Sequence, residues 1–274
     1  MVKFSNTAKH NRLWCAVGAS VLLALALGGC GTTARDALQS GDIVTSSDES
    51  LARKRARIRL ELAVGYYNDG KTTIALDELK QSIIADPTLL EAHNLRGLIY
   101  MRLNDVGLAE ESFRNALQID PQAASAEHNY AWLLCQQGRM PEAFRHFQAA
   151  IANPAYVDKA KSLMALGVCQ SKSGQKLEAE ASLQKAFELD AANPVIGYNL
   201  ALLLYQRGEL ARSLFYVRRI NNGALANAES LWLGIRIERK LGNTEAASQL
   251  GLQLKKRFPQ SNEVSLYDRA AFND

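Results

Sequence analysis

Residues 90–121 read LEAHNLRGLIYMRLNDVGLAEESFRNALQIDP, and this stretch sets the pattern for most of the chain. Its first half places the small Gly97 in mid-helix with Tyr100 one turn later. A polar turn at Asn104-Asp105 follows, and the second half carries Ala109, Phe113 and Ala116 at helical spacing before Asp120-Pro121 stops it. The small residue of the first helix recurs as Ala63, Gly97, Ala131, Gly167, Ala201 and Gly234, at intervals of 34, 34, 36, 34 and 33 residues. The small residue of the second recurs as Ala75, Ala109, Ala143, Ala179, Ser213 and Ala246, at the same intervals. Two independent marks keeping one rhythm through six cycles define a helical repeat.

The marks have a mechanical meaning. Paired helices approach to ~8–10 Å where a small side chain permits it. The bulky residue four places after the second mark (Leu79, Phe113, Phe147, Leu183, Val217, Leu250) is expected to fill the gap. No single pair can bury both of its apolar faces, so each unit needs its neighbour and the whole forms a curved stack. The pattern resembles the tetratricopeptide repeat (TPR) over roughly residues 56–270. That resemblance implies an all-α, right-handed superhelical solenoid of about six repeats. The large residue expected early in each first helix is poorly kept, with Arg59, His93 and Glu127 in its place.

The start of the chain has a different character. Lys3, Lys9 and Arg12 precede an apolar run from Leu13 to Leu27, closed by Leu27-Gly28-Gly29-Cys30. A basic segment, an apolar core and small residues before a cut describe a secretory signal peptide. The run is shorter than the ~20 residues of an ordinary membrane span. Leu at the third place before Cys resembles a bacterial lipobox, which implies cleavage after residue 29 and acylation of Cys30. Gly31, rather than Asp, follows Cys30, which in such families points to the periplasmic face of the outer membrane. Residues 30–55 are then a lipidated, flexible tether and 56–270 the repeat domain. Across this boundary, between Leu51 and Arg59, Arg53, Lys54, Arg55, Arg57 and Arg59 could meet anionic phospholipid, or simply form the solvated N-terminal turn of the first repeat helix; the second reading is preferred.

Removing residues 1–29 removes Lys3, Lys9 and Arg12 and no acid, so the formal net charge of +4 falls to +1. No sustained basic face with interleaved aromatics suggests nucleic acid. Residues Gly65 to Thr72 formally fit the phosphate-binding loop, but the first Gly falls inside a helix rather than after a strand, so no nucleotide is expected. His93, His128 and His146 show no metal-ligand spacing, and no nucleophile elbow is present, so neither a metal, a cofactor nor a catalytic residue is expected. Cys135 and Cys169 lie in the first helices of consecutive repeats. They are a possible disulfide, or two buried thiols, in an oxidising compartment.

In stacks of this kind the first helices line the concave face. The expected groove is Leu60, Val64 and Tyr67, then Asn94, Leu98 and Met101, then His128, Trp132 and Cys135; Met164, Val168, Tyr198, Leu202 and Tyr205 continue it. About half are expected to be accessible. The surface is apolar and aromatic, suited to an amphipathic or extended hydrophobic segment. Residues 227–261 add a closer resemblance, through Leu233-Gly234-Ile235-Arg236, Thr244-Glu245-Ala246-Ala247-Ser248 and Gly251-Leu252-Gln253-Leu254-Lys255. These are similar to the terminal repeat of the PilW/PilF family of type IV pilus biogenesis and stability lipoproteins. The family implies a secretin pilotin: an outer-membrane lipoprotein, held by lipid on Cys30, that binds the type IV pilus secretin subunit and promotes its multimerisation. Two other roles fit a lipidated repeat protein, a scaffold of outer-membrane barrel assembly and an activator of a cell-wall enzyme.

Overall fold

A computed structural model describes residues 49–272. The signal segment, the lipobox with Cys30 and the tether up to residue 48 lie outside the described residues. Six antiparallel helix pairs follow one another: α1 (Leu51–Asn68) with α2 (Thr72–Ala85), α3 (Leu90–Arg102) with α4 (Val106–Ile119), and α5 (Ala124–Gln136) with α6 (Met140–Ala152). Then come α7 (Lys159–Lys172) with α8 (Lys176–Leu189), α9 (Pro194–Gln206) with α10 (Leu210–Asn221), and α11 (Ala228–Lys240) with α12 (Thr244–Arg257). A short α13 (Asn262–Asp268) closes the described residues, among which all regular structure is helical. The architecture is an all-α TPR solenoid.

Local chemistry marks each boundary. Between the two helices of a pair the chain needs one left-handed residue, supplied by glycine in five repeats and by Asn104, with φ 59°, in the second. Between pairs, the side chains of Asp86, Asp120 and Asn153 accept the backbone N–H two residues on, across an intervening proline. Ser50 caps α1, Asp105 caps α4, and Asn227 with Ser230 forms a reciprocal cap at α11.

The contact inside each pair is the one the period implies. A Cβ on Gly97 would lie 2.5 Å from the Phe113 ring, and one on Gly167 2.7 Å from Leu183 Cγ. Leu79, Phe113, Phe147 and Val217 are fully buried and Leu183 nearly so.

The structure corrects the sixth unit. Ala246 is only half-buried, and the slot belongs to Ala247, 34 residues after Ser213. The following bulky slot falls on Gly251, not Leu250. The missing bulk is supplied by Tyr267 of α13, whose ring occupies the place a Gly251 side chain would take. Gly234 has slipped one place from the frame and lies against Asn221 and Leu250.

The start of the array is also earlier than residue 56. Ser50 accepts a hydrogen bond from the N–H of Arg53, and Arg53 reaches Asp86 at 2.9 Å, which makes residues 51–55 the first turns of α1 rather than tether. Of the five basic residues there, Arg53 and Arg57 pair with Glu49 and Arg59 pairs with Glu78. At the other end packing continues past residue 270, because Phe272 lies on Trp232 with ring centroids 5.5 Å apart.

Gly97→Ala is expected to cost about 1–3 kcal/mol through overpacking against Phe113. Asn104→Gly should instead raise stability by up to about 1 kcal/mol by relieving the left-handed backbone. Urea unfolding followed by circular dichroism checks both signs.

Candidate partner-binding groove

Each odd-numbered helix touches the next odd-numbered helix along the stack, whereas even-numbered helices contact only odd-numbered ones before α13 is reached. The odd helices are therefore crowded on the inner side of the curve. Their fifth, ninth and twelfth positions, counted from the start of each repeat, form a stripe along it.

Leu60, Tyr67, Leu98, Met101 and Trp132 on this stripe are half-buried and Val64 is 41% exposed, so all six have surface to offer. Asn94, Met164, Val168, Tyr198 and Leu202 are likewise half-buried. Three expected groove residues are not available. His128, Cys135 and Tyr205 are buried: Ser162 and Cys169 of α7 lie against the first two, and Arg236 and Lys240 of α11 lie over the third.

Cations frame the stripe, a feature the reading of apolar positions missed. The Arg102 guanidinium lies 3.8 Å above the Tyr67 ring and donates to the Tyr67 carbonyl at 2.8 Å. Lys172 sits 5.5 Å from the Trp132 ring. Lys240 and Arg236 sit 4.4 and 4.8 Å from the Tyr205 ring. Each cation comes from the repeat that follows its aromatic partner. None of the four is within ion-pair distance of a carboxylate among the described residues. The signal was present in the sequence. At the last turn of successive odd helices the same slot reads Asn68, Arg102, Gln136, Lys172, Gln206 and Lys240, an alternation of amide and cation in the 34-residue frame.

The floor of the groove is stiff. The α carbons of Cys135 and Cys169 are 6.0 Å apart and their sulfurs lie within bonding reach, which sets α5 close against α7. This spacing is inside the ~4.4–6.8 Å that a disulfide needs. Asn129 on α5 donates to Asn94 on α3 at 3.0 Å. On the outer side of the second and third repeats, Glu110 receives Arg139, Arg114 and Tyr130. Burial acts to raise the Glu110 pKa, but these hydrogen bonds and the two guanidinium charges hold it below the usual carboxylate range.

The three histidines are not brought together as ligands. His93 bonds the Pro87 carbonyl, His128 bonds Ser162, and His146 pairs with Glu127. Among the described residues no group of His, Cys, Asp and Glu could hold a metal ion. Residues 65–72 form the end of α1, its turn and the start of α2, with no strand to present a phosphate loop.

His128 is pinned 2.7 Å from Ser162 and stands edge-on to Phe147. Burial, with a smaller contribution from the Lys161 charge, pushes its pKa down to about 4. The folded value lies below the free value of 6.5, so the neutral imidazole's contribution is complete above about pH 6.5 and lost as pH falls toward 4. Unfolding free energies from urea titrations at pH 7 and pH 5 should differ by roughly 2 kcal/mol more in the wild type than in His128→Gln.

Two stretches, residues 90–123 and 160–193, match tetratricopeptide-repeat family patterns. Over 242 residues the chain is 28% identical to the type IV pilus assembly protein PilF of Pseudomonas aeruginosa, covering 88% of this chain and 93% of that protein. The solved structure of PilF superposes with a TM-score of 0.71 at 26% identity, over 80% of this chain and 99% of that one. The crystal structure of PilW, described as a widely conserved type IV pilus biogenesis factor, superposes with a TM-score of 0.72 at 30% identity, over 77% of this chain and 97% of that one. A chain whose six repeats carry this likeness from end to end belongs to the PilW/PilF family of tetratricopeptide-repeat proteins of type IV pilus biogenesis.

Proposed function

We propose that this protein is a pilotin-like outer-membrane lipoprotein: a scaffold without catalysis that binds the type IV pilus secretin subunit and promotes its multimerisation. Acylated Cys30 anchors it to the inner leaflet of the outer membrane, with the repeats in the periplasm. The observation that carries the reading is the groove, an apolar stripe through Val64, Leu98 and Trp132 framed by cations without carboxylate partners. An isolated secretin segment with exposed apolar side chains is prone to aggregate, and such a groove can cover it until assembly.

The frame also specifies the segment's chemistry. Arg102, Lys172 and Lys240 recur every second repeat. At ~10 Å between successive odd helices they are about 20 Å apart. An extended strand rises about 3.3 Å per residue, so the fitting segment has carboxylates spaced by about six residues with apolar side chains between. The Cys135–Cys169 pair, bonded, locks the third repeat to the fourth beneath this segment and contributes about 3 kcal/mol of stability. Peptide mapping without reductant is expected to recover the two cysteines in one linked species, and free thiols would remove the lock.

Val64→Lys and Leu98→Glu each place a charge on the stripe and should reduce secretin multimers in the outer membrane several-fold, while circular dichroism stays that of the wild type. Cys30→Ala should abolish fatty-acid labelling and remove the protein from the outer-membrane fraction. A pull-down from detergent-solubilised outer membrane decides the partner. Recovery of barrel-assembly components or peptidoglycan enzymes without a secretin would overturn the proposal.

A further inference from the structure

At five successive junctions the same two positions of an odd helix are buried against the preceding repeat. The first is Ala92, Ala126, Ser162, Ile196 and Ser230, and the second is Ile99, Leu133, Cys169, Leu203 and Ile237; none is more than 2% exposed. On α1 the first position is Ile58, which is 58% exposed. The second is Gly65, where an added Cβ would meet nothing within 4 Å. Leu62 between them is 44% exposed, and Tyr66 is half-buried. Together with Glu61 and Asp69 at its edge they line an open depression of about 400 Å³. The face with which every later repeat stacks thus carries Ile58, Leu62 and Tyr66 on α1, with Glu61 and Asp69 beside them, and is bare among the described residues. The other end of the array is closed, since α13 lays Tyr267 over Gly251. End units of repeat stacks ordinarily carry a polar outer face.

The sequence of this bare face is self-complementary. Ile58 and Tyr66 are each four residues from Leu62, and Arg55 and Asp69 are each seven residues from it. All five fall on one stripe of the helix and its C-cap, at spacings of three and four. Set two copies antiparallel across a two-fold axis at Leu62. Leu62 then meets Leu62, Ile58 of one copy meets Tyr66 of the other, and Arg55 of one meets Asp69 of the other. Gly65 lets the backbones approach. Arg55 has no ion-pair partner among the described residues, and Asp69 has only a surface contact with Lys71 at 3.1 Å.

We propose that α1 pairs with α1 of a second copy of this chain, making a symmetric dimer in which each array completes the other's open end. The contact is isologous and closes on itself, so it yields dimers and not filaments. One pair of 18-residue helices buries less than the ~1,200 Å² of a stable complex, so the dimer is weak and is best trapped covalently. It uses a different face of α1 from the groove and stands or falls independently of the secretin reading.

The test is cysteine cross-linking of the full chain in its own envelope membranes, followed on non-reducing gels. Leu62→Cys should give a disulfide-linked dimer. Ile84→Cys, which is 65% exposed on α2, should give none. Ile58→Cys and Tyr66→Cys should cross-link when co-expressed but not singly. In the Leu62→Cys background, Arg55→Asp or Asp69→Arg should each slow cross-linking about tenfold, and the two together should restore it. No dimer at Leu62, as when another segment of the chain or another protein covers α1, would overturn the proposal. So would equal trapping at Ile84, or a double charge swap that fails to rescue.

Discussion

The close approach of two helices at a residue with little or no side chain is the contact from which the rest of this molecule follows. Gly97 against Phe113 is the clearest instance, with no room between backbone and ring for even one more carbon. Burying a side chain the size of Phe or Leu contributes roughly 1.5–3 kcal/mol. One such plug per repeat holds each pair closed, but leaves its flanks apolar and dependent on the next pair. Stability is therefore distributed along the stack rather than gathered in a single core. Because the odd helices also touch one another, the array bends toward them, and that bend creates the groove.

The groove owes its character to what sits in the last turn of those odd helices. Tyr67, Trp132 and Tyr205 each lie under a cation delivered by the following repeat. This arrangement restrains the aromatic rings before any partner arrives and reduces the entropy that binding must overcome. It also leaves positive charge beside apolar surface, a combination that favours a segment with acidic and hydrophobic residues in alternation. The close approach of Cys135 on α5 to Cys169 on α7 and the hydrogen bond from Asn129 to Asn94 hold successive odd helices together along the groove.

Much of this was legible in the chain, for a physical reason. Tight helix pairs tolerate only small residues at fixed places, so the fold writes its period directly into Ala63, Gly97, Ala131 and their successors. The six accessible residues chosen for the groove follow from the same frame. The frame failed where another element intervened. In the sixth repeat Gly251 stands in the bulky slot because Tyr267 fills the space from outside, and no local pattern announces a side chain arriving from α13. The domain boundary was set too late, at residue 56, although the basic run was already read as a first helical turn, because only the reach of Arg53 to Asp86 ties that turn to the array. The alternation of amide and cation from Asn68 to Lys240 was readable but has no meaning until each cation is seen above the neighbouring repeat's aromatic ring.

By itself the sequence determined the repeat, the helix count per unit, the face that points inward and the membership of a pilus-biogenesis family, since all of these depend on residue type at fixed spacing. Only the tertiary structure decided which inward residues remain open and which are shut, as with His128, Cys135 and Tyr205, because that depends on which side chains of the next repeat come to lie over them. It also decided which cysteine positions meet. Cys135 and Cys169, left open by the sequence as a bond or two thiols, are two residues out of step in the repeat frame, which would set Cys135 level with Ser171. Likewise Ile58 and Leu62 are ordinary apolar helix residues until the stack shows that nothing precedes them among the described residues.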